Sequence, residues 1–79
     1  MKYVIVEQRE LELPILCNDI LNHSDVVPQF AKVVSAGFVS LGDNNQISCW
    51  GHSVSLKTVS RGTEDEKLIR KSFGLDRGW

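Results

Sequence analysis

The stretch KYVIVEQRELELPILC, residues 2–17, decides the fold of this chain. It opens on Tyr3-Val4-Ile5-Val6, an aromatic and β-branched run whose side chains pack well on a pleated, half-buried surface. Residues 7–10 (EQRE) are wholly polar and read as a turn. Beyond them Leu11, Leu13, Ile15 and Cys17 alternate with Glu10, Glu12, Pro14 and Leu16, the period of two that marks a strand with one inward face. Two such strands about a short polar turn make an antiparallel hairpin. Pro14 has no N–H to give to a ladder, so the second strand belongs at a sheet edge. On this reading the leucine series faces inward. Glu10 and Glu12 then form a solvated outer face rather than an acid–base pair.

Working outward, NDILNHSDVVPQFAK (18–32) interrupts the strand pattern. Asn18 and Ser24 are good N-cap residues for short helical turns, and Pro28 opposes a long helix. Ile20, Leu21, Val26, Val27 and Phe30 are the expected anchors of this connection. KVVSAGFVSL (32–41) is a third strand, with Val34, Ala36 and Phe38 on one face and Val33, Val39 and Leu41 on the other. Gly37 within it marks close packing. GDNNQ (42–46) is a turn, since Gly, Asp and Asn tolerate left-handed backbone angles. ISCWGHSVSLKTV (47–59) returns antiparallel, and Gly51 signals a bulge or bend. Cys49 is expected inward, with Trp50 on the opposite face.

The last segment carries the one helix, from about Thr63 to Phe73. Thr63 and Glu66 match the S/T-x-x-E capping box. Glu64, Asp65 and Glu66 complement the positive end of the helix dipole, and Arg70 and Lys71 the negative end. Leu68, Ile69 and Phe73 form a narrow apolar stripe to lie on the sheet, and Gly74 terminates the helix with Leu75 folding back. The fold class is therefore α+β: one domain over 1–79, an antiparallel sheet of four or five strands built from two hairpins, and a C-terminal helix packed on it.

The chain has 79 residues, a hydrophobic fraction of 42%, a charged fraction of 24% and a net charge of −1. That suits a single folded domain and is too apolar for general disorder. Three basic residues face five acidic ones in the first forty positions, and six face five in the remainder. Neither half has the excess of cations that tight nonspecific DNA binding requires. No export signal or membrane-length apolar run is present, so a cytoplasmic protein with reduced thiols is expected.

Four residues could hold a metal: Cys17, His23, Cys49 and His52, written C-x5-H…C-x2-H. The inventory suits zinc, but the tight Cys-x2–4-Cys knuckle of structural sites is missing. On a regular strand Cys49 and His52 point to opposite faces, and Cys17 continues the inward leucine series. A Cys17–Cys49 disulfide is the other arrangement the two thiols allow. A cysteine nucleophile would need a base beside it, and the consecutive His23-Ser24-Asp25 cannot converge as a triad must. No phosphate loop, dinucleotide fingerprint or EF-hand is present. The expectation is no cofactor, no metal and no catalysis. Lys57, Arg61, Lys67, Arg70, Lys71 and Arg77 gather late in the chain beside Trp79, so a basic helix face could meet nucleic acid. The partner-binding candidates are Trp50, Lys67, Arg70, Lys71 and Trp79.

Taken together, LELPILCNDILNHSDV, VVSAGFVSL, ISCWGHSVSL and EDEKLIRKSF resemble a group of short uncharacterised bacterial proteins, many carried by phages and prophages. The resemblance spans nearly the whole chain and implies an accessory protein inside the cell, with no activity or cofactor attached. The leading expectation is a non-enzymatic protein-interaction module, monomer or homodimer, that inhibits or modulates a host complex such as a defence system. Its partner is then a host or phage protein. A nucleic-acid-associated protein is the alternative, and a small Cys/His metalloprotein or enzyme the third.

Overall fold

The computed structural model describes residues 1–29 and 31–74. Strands β1 (Lys2–Gln8) and β2 (Leu11–Cys17) form the expected hairpin. Strands β3 (Lys32–Leu41) and β4 (Ile47–Trp50) form a second one. β1 also pairs antiparallel with β3, so the four strands lie in the order β2-β1-β3-β4. Helix α1 (Thr63–Ser72) packs across one face of this sheet. The architecture is α+β, as the sequence indicates. Among the described residues no helix is long and apolar enough to cross a membrane.

The chain bends after Trp50, where the sequence signals it. Gly51 adopts φ +82° and bends it. β5 (His52–Ser53) and β6 (Thr58–Val59) then pair only with each other, as a two-stranded ribbon over the other face of the sheet. Lys57, at φ +53°, closes the turn between them. Gly51, Gly74 and Asn44, the last at φ +59°, are positive-φ positions that the sequence signalled by a Gly or Asn in a bend, helix end or turn. The β1–β2 turn has no such signal: Arg9 and Glu10 sit at φ +55° and +67°. A two-residue turn with both angles positive favours Asn-Gly. Replacing Arg9-Glu10 by Asn-Gly should therefore raise stability by about 1 kcal/mol, seen as a higher Tm.

The sheet has a core on each side. On the helix side Tyr3, Ile5, Val39, Ile47 and Cys49 are buried against Ile69, with Leu16, Val34 and Leu68 packed around them. On the ribbon side Val4, Val6 and Ala36 are buried beneath Ile15, Val26, Val27, Ala31, Val33 and Leu56. The side that β2 presents is the reverse of the expectation. Leu11, Leu13, Ile15 and Cys17 share the face of Val4 and Val6, where Leu11 and Leu13 remain exposed. The helix instead covers the face of Glu12, Pro14 and Leu16. Alternation tells which residues share a face, not which face receives the helix. Pro14 stands on the edge strand as expected; its position opposite Ile5 is one that exchanges no ladder hydrogen bond, so its missing N–H falls on the open edge.

A register shift between Ile5 and Val6 interrupts the β1–β3 ladder. That irregularity sends Val34 to the helix side and Val33 to the ribbon side, exchanging the two relative to simple alternation. In the connection, Val26 and Val27 anchor the chain as expected, but Ile20 is 88% exposed and Leu21 is exposed to a lesser degree. Phe30 lies outside the described residues. His23 takes over as an anchor: it opens a 3-10 turn, His23–Val26, and is buried. Asn18 does start a turn, its Oδ1 accepting from the Ile20 N–H at 2.9 Å. Ser24 does not cap; the 3-10 turn is preceded by Asn22, whose N–H donates to Asp25 Oδ2 at 3.0 Å.

The helix runs as the sequence indicates but is held differently. Gly62, at φ +60°, occupies the cap position and Thr63 is already helical, so the capping box does not form. Glu66 reaches across to β4, where its Oε2 accepts the Cys49 N–H at 2.9 Å. A carboxylate thus satisfies a backbone donor on the free side of this edge strand. Phe73 is the C-cap residue and is half-exposed, so the stripe on the sheet is Leu68 and Ile69 alone. Phe73→Ala should change stability by no more than about 1 kcal/mol, far below a core phenylalanine. A fall in Tm of more than ~10 °C would put that ring back in the core. Gly74 terminates the helix at φ +73°, while Leu75, Arg77 and Trp79 lie outside the described residues.

Candidate binding face

The register brings four side chains into one row across the ribbon side of the sheet. Cys17 stands opposite Lys2, Lys2 opposite Phe38, and Phe38 opposite Trp50. The row therefore crosses β2, β1, β3 and β4 at one end of the sheet. Trp50 is 50% exposed, and its ring lies 6.2 Å from that of Phe38. The His23 ring meets Phe38 edge-on, with centroids 6.0 Å apart. His23 Nε2 donates to the Gly37 carbonyl oxygen at 2.8 Å. That bond fixes the imidazole over the row, because a carbonyl can only accept.

Two glycines shape this end. A Cβ on Gly37 would run into the Trp50 carbonyl oxygen and press on Ser60 Cβ, which is the close packing the strand glycine signalled. A Cβ on Gly51 would lie 2.8 Å from Phe38 Cδ2. The bend at Gly51 leaves Trp50 and His52 on the ribbon side and Cys49 on the helix side.

Beside the row is a cleft of about 260 Å³ lined by Lys2, Asn22, His23, Phe38, His52, Val54 and Ser55. The Lys2 ammonium donates to the Leu21 carbonyl at 2.8 Å on one wall. On the other the ribbon is tied down where the Ser24 N–H donates to Ser55 Oγ at 3.3 Å. Val54 is 80% exposed at the ribbon turn. The lining is thus an aromatic and aliphatic floor with cationic or donor groups around it.

The four metal candidates do not assemble. Cys49 is buried under the helix, His23 and His52 line the cleft, and Cys17 ends the edge strand. Among the described residues no group of three or more His, Cys, Asp or Glu could hold a metal ion. Both cysteines are free. They occupy opposite edge strands with two strands between, roughly 14 Å at ordinary strand spacing, so the disulfide is excluded. Burial pushes the Cys49 thiol up to about 12, with the Asp65 and Glu66 charges adding to it. Burial likewise raises Cys17. Neither supplies thiolate at neutral pH.

The cluster that sequence reasoning missed lies on the helix side. Asp65 is fully buried and its two carboxylate oxygens accept four hydrogen bonds. The Tyr3 hydroxyl donates at 2.5 Å, Ser35 Oγ at 2.9 Å, and Arg61 through its backbone N–H at 2.9 Å and Nε at 2.8 Å. Arg61 also forks onto Glu12, with Nη2 to Oε1 at 2.9 Å and Nη1 to Oε2 at 3.3 Å, so Glu12 is not the free surface acid expected of it. The Tyr3 oxygen lies 2.6 Å from Ser60 Oγ. Burial, and then the Asp65 hydrogen bond, hold Tyr3 above its ordinary pKa. The Glu12 hydrogen bond leads in holding Arg61 above its own. With every Asp65 lone pair engaged and its carboxylate fully buried, this network is a clamp between helix and sheet.

Of the basic candidates, Lys67 and Lys71 are exposed one helical turn apart and Arg70 is partly buried. Trp79 lies outside the described residues. Comparison with protein-family models, with curated proteins and with solved structures finds no match to this chain.

Proposed function

We propose that the protein is a non-enzymatic interaction module that binds another protein through the ribbon side of its sheet. The observation that carries this reading is the half-exposed Trp50 beside Phe38, a residue of the cleft lining. Tryptophan is the side chain most enriched among residues that dominate binding energy, and a solvated indole on a sheet face is the kind of anchor a partner covers. The buried polar cluster supports it from the other direction, because Asp65, the acid at its centre, is fully buried with both oxygens already engaged. The resemblance to phage- and prophage-carried proteins supplies the setting: a cytoplasmic partner from host or phage, with inhibition of a host complex such as a defence system as the role.

Affinity purification of the wild-type protein and of Trp50→Ala from the same host tests this. We expect a defined, nuclease-resistant partner that the variant loses by about thirtyfold or more in affinity. Circular dichroism should show the variant folded, since half of that side chain is already solvated. The alternative, nucleic-acid binding through the helix, rests on exposed Lys67 and Lys71. Its mark would be a nuclease-sensitive recovery abolished by charge reversal at those two lysines and indifferent to Trp50.

A further inference from the structure

We infer that the cleft beside Trp50 takes a linear segment of the partner in which an apolar side chain adjoins a carboxylate. This rests on the reading of that face as a protein-binding surface. Size and charge select the occupant. About 260 Å³ lies below the range of ordinary cofactor and drug-sized pockets, and it suits one large side chain with its neighbour. Phe38 and Val54 offer that side chain an apolar seat, and the Trp50 ring lies 6.2 Å from that of Phe38.

The polar groups of the lining are Lys2, Asn22, His23, His52 and Ser55, with no carboxylate among them. Lys2 donates one N–H to the Leu21 carbonyl, and an ammonium carries two more. Those donors, the exposed His52 imidazole and the Asn22 amide surround an apolar slot with groups that favour an anion. The nearest acid on the neighbouring 3-10 turn, Asp25, is turned to the Asn22 N–H. A basic or neutral segment would leave the Lys2 charge facing an apolar wall without a counter-charge. A nucleic-acid strand is a poorer match. The cleft holds one permanent cation and the chain is net negative, whereas tracking a phosphate backbone takes several cations in line.

The test is selection from a random linear peptide library on the full chain, with counter-selection on Trp50→Ala. Enriched peptides should carry an aromatic or branched aliphatic residue next to Asp or Glu. Calorimetry with a synthetic consensus peptide should show Lys2→Gln weakening binding about tenfold. Val54→Asp, at an exposed ribbon position that leaves the fold alone, should weaken it at least as much by repelling the carboxylate. Peptides that depend on Trp50 but show no acidic preference would overturn the inferred chemistry and leave the interaction reading standing. No enrichment, or peptides that bind Trp50→Ala equally, would overturn both. Displacement of the consensus peptide by oligothymidylate at comparable concentration would assign the cleft to nucleic acid instead.

Discussion

Asp65→Ala should lower stability by about 3–5 kcal/mol, close to the whole margin of a domain of this size. The loss does not come from one contact. Removing the carboxylate leaves the buried Ser35 hydroxyl and the Arg61 backbone N–H without their acceptor, and leaves the buried Tyr3 hydroxyl only Ser60 Oγ. Each buried donor left unsatisfied costs roughly 1–3 kcal/mol. The Arg61 guanidinium keeps Glu12 but loses its buried counter-charge. A fall in Tm of roughly 15–35 °C follows for a chain of this length. Asp65→Asn keeps the shape but turns an NH₂ toward groups that are themselves donors, so it should recover only part of the loss. A variant Asp65→Ala that melts within a few degrees of the parent would show that the clamp adds little to the helix–sheet contact.

The same network sets the response to acid. Burial alone would raise the Asp65 pKa, but the hydrogen bonds from Tyr3, the Arg61 N–H, Ser35 and the Arg61 side chain outweigh it, and the net shift is downward from 3.8. The unfolded chain therefore takes up this proton more readily than the folded one. The stabilisation from the carboxylate is complete above the unfolded value, and it is lost as pH falls through the lower folded value. The Tm difference between parent and Asp65→Asn should stay flat from neutral pH to about pH 5 and shrink below about pH 4. A difference that shrank near neutrality would point to another titrating group.

What the sequence disclosed, and what it withheld, follows from the range of each interaction. The β1–β2 hairpin, the GDNNQ turn, the bend at Gly51 and the span of α1 were legible because each is specified by residues within a few positions of one another. The side on which the helix sits was not, because alternation in β2 is symmetric between the two faces until something outside it breaks the symmetry. Arg61 breaks it by engaging Glu12, forty-nine positions away. Asp65 was hidden by a sufficient local explanation: an acid in the first helical turn needs no further partner, yet its partners include Tyr3, sixty-two positions distant. Phe73 follows Ile69 at helical spacing, but the helix ends at Ser72 and the last ring swings out of the stripe. Trp50 was singled out correctly as lying on the face opposite Cys49. Its neighbours were not accessible, since the row Cys17–Lys2–Phe38–Trp50 exists only once the strand order β2-β1-β3-β4 and three registers are known.

Gly51→Ala should cost about 2–4 kcal/mol and disturb the binding face at the same time. Two penalties add. At φ +82° any L side chain is in a strained backbone region, worth about 1 kcal/mol. The new methyl would also stand 2.8 Å from Phe38 Cδ2, well inside carbon–carbon contact. The ring is flanked by His23 on one side and Trp50 on the other, so moving it displaces its neighbours, and such overpacking costs roughly 1–3 kcal/mol. Gly62 is the control for the steric penalty, because at φ +60° and ψ −115° it carries a backbone cost of its own with nothing within 4 Å of an added Cβ. Gly62→Ala should therefore lower Tm without moving the Trp50 ring, whereas Gly51→Ala should do both. Only Gly51→Ala should shift the Trp50 fluorescence and weaken partner binding under conditions where the protein remains folded. Unchanged Trp50 fluorescence and partner affinity in Gly51→Ala would place the whole effect in the backbone. The glycine would then serve only to bend the chain, and Phe38 would not be what fixes the Trp50 ring for its partner.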